Sequence, residues 1–236
     1  MSATIEATGL HACRGDTPVV RGLDLRVEEG EVAALLGPNG AGKTTTLLAL
    51  SGLVPALSGR VAVLGAVVRA GDTPRLARRG LAHVPQDRCL FPGLTVREHL
   101  LLAGARAAAD QRSALAELPV LEPLLDRRAG LLSGGEQQQL ALALALARRP
   151  HALLVDELSH GLAPKLVERL LPLLRDVARA RGTAVLMVEQ HARAALRVAD
   201  RAAVLRQGRV VLEGRAADLL ERRADLEAAY LGDGGA

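Results

Sequence analysis

Val32-Ala33-Ala34-Leu35-Leu36-Gly37-Pro38-Asn39-Gly40-Ala41-Gly42-Lys43-Thr44 passes from five apolar residues into a glycine-rich turn and ends where a helical stretch opens. A continuous apolar run of that length suits a strand buried on both faces of a parallel sheet. Gly37 to Thr44 matches G-x-x-x-x-G-K-[ST] in full. Glycines so placed let backbone N–H groups turn inward on phosphates, and the following helix adds the positive end of its dipole. The pattern assigns Lys43 to the β- and γ-phosphates of a nucleotide and the Thr44 hydroxyl to Mg2+. Lys43 and Lys165 are the only lysines beside 28 arginines. A compact ammonium at 43 therefore marks a place where a planar guanidinium does not serve. The spacing is not the G-x-G-x-x-G of dinucleotide folds, and Asn39 is the only asparagine, so no N-K-x-D guanine-reading motif exists.

Three more apolar runs lie further along the chain, each ending in a polar cluster. Leu81 to Val84 leads to Pro85-Gln86, Ala152 to Val155 to Asp156-Glu157, and Ala184 to Val188 to Glu189-Gln190-His191. Helical stretches separate the strands: Thr44 to Leu50, a region around Val96 to Ala109, Glu136 to Ala147, and Pro164 to Ala180. This alternation predicts an α/β fold with right-handed crossovers. Ligands of such open sheets sit beyond the carboxyl ends of the strands, where every one of these clusters falls. Asp156 and Glu157 read as neighbours with opposite-facing side chains, one for the Mg2+ shell and the other to polarise water for in-line attack. A solvated acidic turn is the plainer alternative, and the intact phosphate loop argues against it.

Arg88 to Leu132 is helix-rich without a buried strand, and Thr95-Val96-Arg97-Glu98 is a capping box opening one of its helices. It reads as a helical subdomain inserted into the sheet domain. The first thirty residues, with Arg60 to Arg69, read as short strands of a small antiparallel layer. Ala216 to Tyr230 reads as one amphipathic helix packing on the domain. Leu132-Ser133-Gly134-Gly135-Glu136 holds a second capping box, but two glycines in a first turn cost roughly 1 kcal/mol each relative to alanine. They make sense if something negative must approach the backbone closely. Since the chain already has its phosphate loop, this helix start is expected to serve the nucleotide of another chain.

With 236 residues, 49% hydrophobic and 24% charged, the chain suits one large domain or a core with one insertion. No apolar run approaches the roughly 18 residues of a bilayer-spanning helix, and no secretion signal opens the sequence. A cytosolic location is the expectation. Cys13 and Cys89 lack disulfide or metal-like spacing and read as buried or incidental thiols. The net charge of +4 is spread over arginines interleaved with carboxylates, and aromatics are only 1%. That describes a solvated surface rather than a nucleic-acid face, which clusters charge and stacking groups.

Taken together, GPNGAGKTT, VPQ, LSGGE, ALLVDE and VEQH, in that order over nearly the whole chain, resemble the ATP-binding cassette (ABC) ATPases. The resemblance implies an α/β P-loop nucleoside triphosphatase with a RecA-like parallel sheet core, a small antiparallel β subdomain and an inserted helical subdomain. The core would take about 1–87 and 145–236, and the subdomain carrying the signature about 88–144. It implies ATP and Mg2+ as ligands. In a sandwich dimer, homo- or heteromeric, Ser133, Gly134, Gly135 and Glu136 of one subunit would close over ATP. That ATP would be held by Gly37, Pro38, Asn39, Gly40, Ala41, Gly42, Lys43, Thr44 and Thr45 of the other. Thr44, Gln86 and Asp156 would hold Mg2+, and Gln86 would signal to a membrane partner. Glu157 would be the catalytic base, with Gln190 or His191 contacting the γ-phosphate.

Within that family, VPQDRCLFPGLTVREHL, DELSHGLAP, VEQHARAALRVADRAAVL and the ending LEAAYLG are most similar to importer ATPases for branched-chain amino acids. Relatives for urea and amides share much of this pattern. The similarity implies separate membrane permeases, a solute-binding protein acting through them, and a place on the inner face of the cell membrane. Arg14 stands where the family often stacks an aromatic on adenine, and a guanidinium can also stack. Gln190 stands at the switch-histidine position with His191 one place later. Leu162 replaces an aspartate that often contacts the opposite subunit, and His160 replaces a small or apolar neighbour. Two other readings stay open at this point: a cassette unlinked to transport, and a poorly hydrolysing partner of a heterodimer.

Overall fold

The computed structural model describes residues 3–104 and 115–231. The expected strands form β3 (Val32–Leu36), β6 (Leu81–Val84), β7 (Ala152–Asp156) and β8 (Ala184–Glu189). They belong to a six-stranded sheet of order β10-β9-β3-β8-β7-β6, completed by β9 (Arg201–Arg206) and β10 (Arg209–Arg215). β10 pairs antiparallel with β9, and every other pairing in this sheet is parallel. The sequence reading did not anticipate β9 and β10. In β9 the apolar run is only Ala202 to Leu205, and β10 alternates half-buried and exposed residues without one fully buried position.

Side-chain alternation divides the sheet between two cores. Val32, Ala34 and Leu36 face a core shared with the helices Gly134–Ala147 and Pro164–Arg181. Ala33 and Leu35 face the other way, toward Leu47 and Leu50 of the helix Lys43–Leu50. That second core is closed by an antiparallel sheet of order β2-β1-β4-β5: β1 (Ile5–Arg14), β2 (Thr17–Val27), β4 (Ala56–Val63) and β5 (Ala66–Val67). An antiparallel layer stands where it was expected, but β1 and β2 are long rather than short. Register shifts in their pairing let them bend over the core.

Two further expectations are corrected. The tail is not one helix: Ala216–Glu221 and Arg223–Leu231 are separate, because Arg222 leaves helical geometry at ψ 55°. Between 88 and 132 the described residues include the α-helix Val96–Leu102, with its capping box formed, a helical position at Leu115, and two 3-10 turns at Pro119–Leu124 and Ala129–Leu131. Pro119 and Pro123 remove donors that a longer helix would need. The helix Val96–Leu102 closes at Ala103 with Gly104 in a turn, short of the expected Ala109, and 105–109 lie outside the described residues.

Candidate functional site

Because β3, β8, β7 and β6 run parallel, their carboxyl ends share one edge. Leu36 lies opposite Glu189, Asp156 opposite Val188, and Val84 opposite Val155. The polar clusters that follow are thus brought side by side. Gly37 leaves β3 at φ 145°, and a Cβ there would stand 2.1 Å from the carbonyl oxygen of Leu205. Only glycine fits this exit.

Lys43, 4% exposed, directs its ammonium at the carbonyls of Gly37 (2.9 Å) and Pro38 (3.2 Å) and at Glu157 Oε1 (3.4 Å). Gln86 Nε2 donates to Glu157 Oε2 at 3.2 Å, and His160 Nδ1 lies 3.8 Å from the same oxygen. Glu157 does not extend the strand as an opposite-facing neighbour of Asp156. It sits at φ 48°, a left-handed conformation that is costly for a non-glycine residue, and its N–H donates to the Val188 carbonyl. The turn swings its carboxylate to Lys43, while Asp156 stays on the strand and accepts from the Thr44 hydroxyl at 3.3 Å. Alternation along a strand was thus the wrong device for separating the two carboxylates, although both still reach the phosphate loop.

Burial pushes the Asp156 carboxyl up to about 6, against the lowering effect of the Thr44 bond and with a smaller push from Glu157. A buried carboxylate held up by desolvation gains from a cation beside it. Thr44, Asp156 and Gln86 offer hydroxyl, carboxylate and amide oxygens, a donor set suited to a hard divalent cation. The residues present fit Mg2+.

A cavity of about 300 Å³ opens over the loop, lined among others by Arg14, Asn39, Lys43, Thr45, Gln86 and His160. Arg14 reaches it from the end of β1 in the antiparallel sheet. Gln190 and His191 do not line it. Both are exposed and border a neighbouring cavity together with Ser159, Leu162 and Pro164. Glu189, one residue earlier, is buried and accepts from the Ser159 N–H and hydroxyl, tying the turn after Glu157 to the end of β8.

Ser133 to Glu136 stands apart from this cavity and forms the second capping box. Ser133 N–H donates to Glu136 Oε2 at 2.7 Å, and the Ser133 hydroxyl accepts from Glu136 N–H. The Ser133 N–H, then the hydroxyl, hold the Glu136 carboxyl below its ordinary range. Within this chain Glu136 is engaged by its own helix start. No backbone contact forces the two glycines: a Cβ on Gly134 would meet only the Arg88 guanidinium at 3.6 Å, and one on Gly135 the flexible end of Leu166 at 2.8 Å.

Three contributions were absent from the sequence reading. His160 had been noted only as a departure, Glu189 only as a strand end, and Tyr230, the single tyrosine, only as part of a tail. Its hydroxyl accepts from Gly37 N–H and donates to the Gln190 carbonyl.

The family model described as "ABC transporter" matches residues 20–160. The high-affinity branched-chain amino acid transport ATP-binding protein BraG of Pseudomonas aeruginosa is 38% identical over 223 residues, covering 92% of this chain and 95% of that protein. The Nod factor export ATP-binding protein I of Burkholderia lata is 40% identical over 213 residues, covering 88% of this chain and 69% of that protein. Among solved structures, a dimeric bacterial ABC transporter cassette superimposes with a TM-score of 0.80 at 27% identity, over 90% of this chain and 98% of that one.

Proposed function

The chain belongs to the ABC transporter family as an ATP-binding subunit with ATPase activity, and from that premise we propose that it powers an importer of branched-chain or other small amino acids or amides. Similarity to BraG over nearly the full length of both proteins favours this solute class. The likeness to an export ATPase, which this chain spans only in part, makes export the second reading.

One observation carries the proposal: Lys43, Glu157 and Gln86 meet over the phosphate loop while Thr44 and Asp156 meet beneath it. In this reading Lys43 leaves the two carbonyls and Glu157 for the β- and γ-phosphates of ATP. Glu157, freed of that ion pair, takes a proton from a water as its oxygen attacks the γ-phosphorus in line, and the bond to the ADP oxygen breaks. Thr44, Asp156 and Gln86 hold Mg2+, which when bound offsets charge developing on the phosphate oxygens. Arg14 lays its guanidinium against the adenine. Ser133, Gly134 and Gly135 close on the nucleotide of a second cassette, a contact that the dimeric relative makes reasonable and the unforced glycines support. Gln190 or His191, which follow the end of β8 where it pairs with β3, contacts the γ-phosphate.

Residues 88–144 act in this proposal as the subdomain that meets the membrane permeases, at the inner face of the cell membrane and with a solute-binding protein upstream. Among the described residues no helix is long and apolar enough to cross a membrane. Glu157→Gln should keep ATP affinity, lose turnover by about 100-fold or more, and accumulate an ATP-dependent dimer in size exclusion. Lys43→Ala should lose ATP binding in calorimetry. Turnover at the wild-type rate in Glu157→Gln removes Glu157 from the base role, and retained affinity in Lys43→Ala contradicts the phosphate-loop assignment.

A further inference from the structure

The helix Arg223–Leu231 places its tyrosine between the two loops that leave the paired ends of β3 and β8, where the ladder hydrogen bonds stop. Leu226 and Ala229 are buried in the core that also holds Val204 of β9, and Arg206 of β9 donates to the Ala228 carbonyl at 3.2 Å. So anchored, the helix holds the Tyr230 hydroxyl 3.1 Å from Gly37 N and 3.2 Å from Gln190 O. Gly37 is the first residue of the phosphate loop, and its own carbonyl accepts from Lys43. Gln190 follows the last residue of β8. The hydroxyl thereby joins the switch segment to the first residue of the phosphate loop. Burial pushes its pKa up to about 12, so it stays a neutral donor and acceptor over the working range. A phenylalanine would fill the same space and make neither bond.

We propose that Tyr230 is a positioning residue of the ATPase site, tying the phosphate loop at Gly37 to the switch segment at Gln190 so that the two hold one relative position during hydrolysis. The inference rests on the ATPase reading above and extends it to a residue outside the recognised motifs. Phosphate binding draws on several loop amides and Lys43, whereas the relative position of the two loops counts when the γ-phosphoryl group transfers. Loss of the hydroxyl should therefore act on kcat rather than on ATP affinity.

The test uses the full chain with Mg-ATP. Tyr230→Phe should lower kcat about five- to tenfold, as for one hydrogen bond lost in the transition state. ATP affinity should be unchanged, and Tm should fall by no more than about 2–4 °C. Hydrogen exchange should speed up at the Gly37 amide and not in the core strands. Unchanged exchange at Gly37 shows that the tie does not exist in solution and overturns the inference whatever the turnover. Unchanged kcat, or a kcat loss matched by a parallel loss of affinity, overturns it too, the latter by pointing to a merely structural helix. Wild-type turnover in Glu157→Gln is the separate result that sinks the ATPase assignment itself.

Discussion

Glu189 shows how burial, rather than motif membership, can make a residue matter. Desolvation pushes its carboxyl up to about 7, against bonds from the Ser159 hydroxyl and N–H, with a smaller push from the charge of Glu157. In the unfolded chain the group ionises near its ordinary 4.5. Between about 4.5 and 7 the folded state thus holds a proton that the unfolded state has lost, and stability falls as pH rises through that window. Asp156, raised to about 6, contributes in the same direction, and His83, lowered by burial to about 4, contributes in the opposite one. Glu189→Gln should therefore flatten, without abolishing, the decline of Tm from pH 5 to pH 7. Parallel Tm profiles for variant and wild type would mean that Glu189 titrates normally. At the same scale, His160 beside Glu157 and Arg14 over the loop bring an imidazole and a guanidinium to the rim of the phosphate cavity.

Two helix starts in this chain share one cap geometry and differ in what surrounds them. Thr95 and Ser133 each accept from the backbone N–H three residues on, and each receives a glutamate in return. Losing either hydroxyl should cost about 1 kcal/mol of stability. Only the Ser133 start carries two glycines that no backbone neighbour demands. In a Glu157→Gln background, Ser133→Ala should lower the ATP-dependent dimer fraction while Thr95→Ala leaves it intact, with similar small losses of Tm. An equal dimer fraction in both variants would reduce the Ser133 box to a helix cap. These starts were legible in the sequence, as were the four buried strands and the loop at Gly37, because each is a local pattern. β9 and β10 were not, since four apolar residues between arginines become a strand only through pairing with β3. The left-handed Glu157 was hidden for a similar reason: its conformation is fixed by Val188, Lys43 and Gln86, from three other segments. The break at Arg222 and the reach of Tyr230 to Gly37 likewise depend on where the tail lands, not on its periodicity.

At the scale of the whole molecule, the segment from Pro85 to Phe91 joins the nucleotide cavity to an apolar groove on the outer surface. Gln86 touches Glu157 at one end, and Phe91, the only phenylalanine, is 61% exposed at the other. Between them Arg88 and Cys89 both take positive φ, a bend held by bonds from the Arg88 guanidinium to Gln137 and Gln138 on the helix that Ser133 caps. Phe91 and Leu102 flank a groove running past Pro85 and Leu144. A permease helix seated there would press on the strand end that carries Gln86 and on the helix that starts at Ser133. An aromatic anchor at the centre of such a contact supplies much of its energy, and a buried charge there is strongly unfavourable. Phe91→Glu should leave the ATPase rate of the isolated chain unchanged, because the side chain touches no member of the phosphate cavity. In membranes with the permeases present, it should lower solute uptake and solute-stimulated hydrolysis by about tenfold or more. Full uptake by that variant would move the permease contact away from the groove and break the link drawn here between the Phe91 surface and Gln86.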